Sequence, residues 1–211
     1  MAVHGRPSQL RALFDESPTP HIAHPPRTHH RDFYVATDGS YSLDSDDGGL
    51  GAIIETRDGE RVARIAVPDS TVADNNAAEY RALHLGLDVL AARAPRDARV
   101  GVVVDHDDLA ANVNSASLAT RRSDHVPPRK LRVPDANANH WRGIRARICG
   151  FDEVRAAVVE SDSNPAHALA NAPGEYAHVN AETDRCLLPD SPASSEAQIP
   201  PPSRADRRAS D

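Results

Sequence analysis

The chain has 211 residues, 39% of them hydrophobic and only 4% aromatic, with 17 prolines and a formal charge of −7. That length suits one domain of ordinary size with tails, its core built from Val, Ile, Leu and Ala. The charge argues against a simple cationic nucleic-acid sleeve, since phosphate binding draws on clustered Lys and Arg. It leaves room for an enzyme whose metal ions bring their own positive charge.

Residues 1–31 read as a Pro/His-rich N-terminal arm, with Pro7, Pro18, Pro20, Pro25, Pro26 and five histidines. Within it, an amphipathic turn at 8–14 can dock Leu10, Leu13 and Phe14 on a domain; the rest reads as linker. His21, His24, His29 and His30 read as solvated rather than metal-binding. Regular patterning begins at Asp32. Strands are expected at 32–38, 50–57 and 61–67, joined by a polar turn at 42–49 and by Asp58-Gly59, a hairpin signal. Short turns between consecutive strands imply an antiparallel meander.

The period then changes. Asp74-Asn75 is an N-cap signal, and Ala78, Leu83, Leu85, Leu87 and Leu90 mark a helix over 77–93, stopped by Pro95. Residues 99–104 form a near-continuous apolar run, as in a strand inside a sheet. A helix follows at 107–114, its start favoured by Asp107 and Asp108, then an irregular insertion at 115–138. A helix at 140–149, a fifth strand at 153–160 and a helix at 165–171 complete a domain spanning 32–173. Trp141 reads as a core anchor. The tail, 174–211, carries three consecutive prolines and reads as disordered. Cys149 and Cys186 show no CxxC pairing, which argues against a zinc ribbon or disulfide framework. No apolar run approaches the ~18 residues of a membrane span, and no signal peptide is evident, so a cytoplasmic protein is expected.

Three acids sit where strands and helices would rather bury something else. Asp38 follows Phe33-Tyr34-Val35-Ala36-Thr37 directly, Asp105 ends the apolar run 99–104, and Glu79 lies one turn inside the long helix. An unpaired carboxylate in a sheet is costly unless cations or hydrogen bonds compensate it. Taken singly, each has a structural reading: a turn cap, a solvated helix residue, an N-cap. Taken together, three acids from three elements can converge on hard divalent ions such as Mg²⁺, which take oxygen ligands. Two such ions about 4 Å apart can clamp the attacking and leaving oxygens of a phosphodiester.

Thr37-Asp38-Gly39-Ser40, Gly48-Gly49-Leu50-Gly51-Ala52-Ile53, Asn75-Asn76-Ala77-Ala78-Glu79-Tyr80-Arg81-Ala82-Leu83 with Gly86-Leu87, and Val103-Val104-Asp105 resemble ribonuclease H of type 1 in order and spacing, over residues 32–172. The acidic, lysine-poor composition (Lys130 is the only lysine) suits a haloarchaeal-type member. The resemblance implies an α/β, RNase H-like fold: a five-stranded mixed sheet, three antiparallel strands and then parallel ones, flanked by helices. It implies a metal-dependent endonuclease that hydrolyses the RNA strand of RNA–DNA hybrids by a two-metal mechanism, with two Mg²⁺ or Mn²⁺ ions when substrate is bound. Asp38, Glu79 and Asp105 would be metal ligands, while Gly39, Ser40, Asn75 and Asn76 would face the substrate, whose 2′-hydroxyls distinguish RNA from DNA.

Two departures stand out. His167 in Asn164-Pro165-Ala166-His167-Ala168-Leu169-Ala170-Asn171 replaces the fourth acid of the family pattern; imidazole suits Mn²⁺, Zn²⁺ or Co²⁺ better than Mg²⁺, and Asp162 is an alternative carboxylate. The first turn carries Asp44, Asp46 and Asp47, which repel phosphate. These leave open a catalytically impaired RNase H-fold protein that binds nucleic acid or acts as an adaptor, or a nuclease with another substrate. Arg121, Arg122, Arg129, Lys130 and Arg132 form the densest basic stretch, read equally as a substrate-backbone contact or a solvated loop.

Overall fold

A computed structural model describes residues 9–43, 47–121 and 131–179, with the backbone alone at 47 and 177–179. The first helix, α1 (Gln9–Glu16), buries Leu10 and Phe14 on the sheet. Strands β1 (Phe33–Ser42), β2 (Asp47–Thr56) and β3 (Arg61–Asp69) form the expected meander. Gly59 turns the second hairpin at φ 85°, a conformation that glycine adopts without strain. β4 (Arg99–Val104) runs parallel to β1, and β5 (Glu153–Val158) parallel to β4. The sheet order is β3-β2-β1-β4-β5, the five-stranded mixed sheet anticipated from the motifs.

β1 lies at the centre, and Tyr34 through Gly39 are all buried. Its alternation splits the core. Val35 joins α2 (Asn75–Ala91), α3 (Asp107–Arg121) and α4 (Ala138–Gly150) on one face, while Tyr34 and Ala36 join α1 and α5 (His167–Asn171) on the other. Asp74 caps α2 by accepting from the Ala77 N–H at 2.7 Å. Because α2 is sandwiched between the sheet and α4, burial extends almost all round it. Leu83, Leu87 and Leu90 are fully enclosed, each worth about 1.5–3 kcal/mol. Trp141 is an anchor as expected, edge-on to Tyr80 at 6.2 Å.

The strands overrun their expected limits: β1 continues through Asp38 to Ser42, and β2 starts at Asp47. The early part of β2 is glycine-rich, and its glycines serve packing. A Cβ at Gly49 or Gly51 would sit 2.0 Å from the Ala170 carbonyl oxygen or 2.4 Å from that of Ala166. Their absence lets α5 lie flush on β2.

The insertion expected at 115–138 begins later, because α3 runs on to Arg121. Its polar residues are buried for a reason. Asn114 donates to the carbonyls of Ala156 (2.9 Å) and Pro20 (2.8 Å) and accepts from the Ala156 N–H (2.8 Å), satisfying the open edge of β5. The linker reading of 17–31 is likewise corrected. The Val158 N–H donates to the Pro18 carbonyl at 2.9 Å, His24 packs against Phe14 with ring centroids 5.5 Å apart, and His30 Nε2 lies 3.0 Å from Arg11. This segment closes the exposed side of the sheet. Residues 1–8, Asp44, Asp46, Arg122, Arg129, Lys130 and 180–211 lie outside the described residues. No described helix is long and apolar enough to cross a membrane.

Candidate metal centre

Parallel register creates the site. Ala36 pairs with Val103, so Asp38 and Asp105, two residues further on each strand, emerge side by side on the same face. Asp38 is only 2% exposed; Asp105 is half-buried where β4 ends. Both point toward the face covered by α5, whose first residue is His167. One ligand atom each from Asp38, Asp105 and His167 lies within 4.8 Å of the others. Among the described residues this is the one group of three or more such side chains so placed.

Glu79 arrives from the opposite face. Gly39 makes this possible: a Cβ there would meet the Ala78 carbonyl carbon at 2.2 Å and the Glu79 nitrogen at 2.4 Å. The first turn of α2 therefore presses on β1, and the Gly39 N–H donates to Glu79 Oε1 at 3.2 Å. Glu79 is buried beside the cluster rather than inside the group of three, and its strongest charged neighbours are Asp105 and Asp38.

Electrostatics show a site short of positive charge. Burial, then the neighbouring Asp105, pushes the Asp38 carboxyl up to about 8. Burial, then Asp105 and Asp38, holds Glu79 well above the usual carboxylate range. Glu79 Oε2 and Asp105 Oδ1 are buried without a hydrogen-bond partner. Orphaned, mutually repelling carboxylate oxygens fit a hard divalent cation. The imidazole adds a nitrogen donor of borderline character.

His167 is placed by its helix. Its Nδ1 lies 3.4 Å from Asp38 Oδ2. Asn171, one turn on, brings its amide nitrogen to 2.9 Å from Nε2 and donates to the His167 carbonyl at 3.1 Å. Asn164 ties this segment to β1 by donating to the Thr37 carbonyl at 2.9 Å, and accepts from the Ala166 N–H at 3.1 Å. Asp162 is exposed and outside the group of three. In its place Ser161, which sequence reasoning passed over, donates its hydroxyl to Asp105 Oδ2. No motif marks Ser161. Asn171 could have been found from its i+4 spacing to His167.

The expected substrate-facing residues divide. Asn75 is exposed and Asn76 half-buried at the start of α2, with Asn76 Oδ1 unpartnered. Gly39 is buried under α2. Ser40 donates to the Ala170 carbonyl at 2.7 Å and borders a cleft of 440 Å³ that Asn171 also lines. Arg121 points elsewhere, toward Asp152 and Glu153.

The family described as reverse transcriptase-like matches residues 36–126. Among solved structures, the N-terminal RNase H domain of rv2228c from Mycobacterium tuberculosis, a fusion with maltose binding protein, aligns with TM-score 0.53 and 23% identity, covering 71% of this chain and 97% of that one. RNase H1 from the halophilic archaeon Halobacterium salinarum NRC-1 aligns with TM-score 0.50 and 21% identity, covering 68% and 97%. The foamy viral protease-reverse transcriptase in complex with RNA/DNA hybrid gives TM-score 0.54 and 16% identity, covering 77% of this chain and 23% of that one. No curated protein matches the chain in sequence.

Proposed function

From a chain of the ribonuclease H-like fold, we propose a divalent-metal-dependent endonuclease that hydrolyses the RNA strand of RNA–DNA hybrids. The observation that carries this reading is the convergence of Asp38, Asp105 and His167 within 4.8 Å, with Glu79 buried alongside. Asp38, Glu79, Asp105 and His167 would hold Mg²⁺ or Mn²⁺. Such ions, when bound, supply Lewis acidity and a lowered pKa for water.

The protein's own groups do the rest. Asp38 sits on the central strand and is only 2% exposed, so its carboxylate is enclosed before substrate arrives. Ser161 orients Asp105 through Oδ2 and leaves Oδ1 free. Gly39 holds Glu79 by a main-chain hydrogen bond to Oε1, which leaves Oε2 without a hydrogen-bond partner among the described residues. Asn75 and Asn76, at the exposed start of α2, offer amide donors and acceptors to 2′-hydroxyls in a minor groove. The half-buried, half-open rim of the cluster suits a scissile phosphate presented from outside.

A second reading, a nucleic-acid-binding or adaptor protein with little catalysis, draws on His167 standing where the family pattern has an acid. One assay separates the two. Labelled RNA–DNA hybrid, duplex RNA and duplex DNA are incubated with Mg²⁺ or Mn²⁺, with and without EDTA. Cleavage confined to the RNA of the hybrid and abolished by EDTA is the expected result. Binding of hybrid without cleavage under either ion would overturn the enzyme reading in favour of the adaptor.

A further inference from the structure

A second charged cleft lies at the far pole of the sheet. Arg99 and Glu153 are the first residues of β4 and β5, whereas Asp105 follows the last residue of β4. A six-residue strand spans about 20 Å, so this cleft is separate from the metal centre. It has a volume of 350 Å³ and lies between the 23–31 segment and the body of the domain.

Its wall carries Arg31, Arg99, Arg121 and Arg155 against Asp152 and Glu153. Four guanidinium groups facing two carboxylates leave an excess of two positive charges. Glu153 is oversubscribed: it pairs with Arg31, with Arg155 at 2.7 Å and with Arg121 at 3.3 Å. Asp152 takes Arg99 at 3.2 Å and Arg121 at 3.6 Å. Asp32, at the edge, accepts from the main-chain N–H of Arg99. Each guanidinium carries five donors in a fork that fits tetrahedral oxyanions; Arg121 and Arg155 each give one to a main-chain carbonyl, of Asp152 (2.7 Å) and Ala23, and two carboxylates cannot satisfy the rest. Arg31 is only 3% exposed, yet its Nε has no partner. An arginine so enclosed needs more compensation than one shared carboxylate provides.

We propose that this cleft binds a phosphate group, presented either by a free nucleotide or by the backbone or end of a nucleic acid. Its volume falls within the range of small-molecule sites and exceeds a bare phosphate. Pro25, Pro26 and the rings of His24 and His29 form the remaining wall, a surface on which a sugar or base can rest. Arg99 and Arg121 are the ligating groups open to solvent, with side chains 53% and 42% exposed. Arg31 and Arg155 complete the inner wall.

The full-length protein, held in EDTA at constant ionic strength so that no divalent ion recruits phosphate to the other site, is titrated calorimetrically. The titrants are inorganic phosphate, a 5′-mononucleotide, and a short oligonucleotide with or without a 5′-phosphate. Saturable binding is expected, weakened about tenfold or more by Arg99→Gln or Arg121→Gln, since each removes a charge-assisted contact. At saturating hybrid the cleavage rate of both variants stays unchanged, since neither side chain belongs to the metal centre. Binding of the mononucleotide alone identifies a free nucleotide as the source; binding of the oligonucleotides identifies nucleic acid. No saturable binding by any titrant, or equal binding in the Arg99→Gln/Arg121→Gln double variant, would overturn the proposal.

Discussion

His167 Nδ1 lies 3.4 Å from Asp38 Oδ2, so an imidazole and a carboxylate share one corner of the cluster. This pair sets the expected cation preference. A nitrogen donor favours Mn²⁺ over Mg²⁺, whereas a carboxylate suits both. His167→Asp should therefore raise Mg²⁺ affinity and narrow the gap between the two ions by about tenfold. His167→Ala should weaken Mn²⁺ more than Mg²⁺. Calorimetric titration of each ion checks both without reference to turnover. An unchanged Mn²⁺/Mg²⁺ ratio in both variants would show that the imidazole does not contact the ion.

Asp38→Asn separates catalysis from stability. It should reduce cleavage by about a thousandfold or more, as loss of a central ligand does. Folding should respond in the opposite sense. The folded-state carboxyl of Asp38 is raised from 3.8 to about 8. Its contribution to stability is therefore full below pH 4 and fades as pH climbs through 8, where the folded state must ionise it against Asp105. In cation-free buffer Asp38→Asn should gain stability on the parent as pH rises from 5 to 9, by a few kcal/mol at the upper end. Saturating Mg²⁺ should erase much of that gain. Thermal melts across pH, with and without the ion, provide the measurement.

Gly39→Ala tests how the helix reaches the sheet. The new methyl would lie 2.2 Å from the Ala78 carbonyl carbon, and backbone cannot yield as a flexible side chain can. The start of α2 must retreat, carrying Glu79 away from the Gly39 N–H. A destabilisation of about 2–4 kcal/mol is expected, with cleavage falling further than the loss of folded protein accounts for. Urea unfolding together with activity at fixed folded fraction tests this.

The sheet and the three acids were legible because local pattern carried them. Asp38 interrupts an apolar run, Asp105 ends one, and Asp74 announces the helix that brings Glu79. What stayed hidden depended on distant partners. Asn114 reads as a helix-ending residue until the bare edge of β5 is placed beside it, and Ser115 and Ser117 read as loop because their burial is tertiary. The prolines at 18–26 suggested a free linker. Yet proline is well suited to a segment that lies along a strand edge and lends only its carbonyls, as Pro18 and Pro20 do. Ligand grouping was legible in part, since the 164–171 segment already put His167 in the place of a fourth acid. Spacing along the chain placed Glu79 with the acids, but not that His167, nearly ninety positions later, would stand nearer to Asp38 and Asp105 as a group.

A histidine pair, His140 buried and His84 half-buried, predicts the acid limit of the fold. His84 Nδ1 and His140 Nδ1 face each other at 3.3 Å between α2 and α4, so one must donate and the other accept. Protonating both would set two donors face to face. Burial, then Arg81 and His84, lowers His140 from 6.5 to about 4; burial also lowers His84. Because the folded-state value is depressed, the contribution of His140 is complete above pH 6.5 and is lost as pH falls toward 4. It costs about 2 kcal/mol at pH 5. Asp38 works in the opposite sense over that range, so the comparison belongs in the Asp38→Asn background. There, adding His140→Gln should lower stability at pH 7, where a buried partner of His84 is altered. On moving to pH 5 the double variant should lose about 2 kcal/mol less than Asp38→Asn alone, read from urea midpoints. Parallel losses in the two proteins would place the acid sensitivity outside this pair.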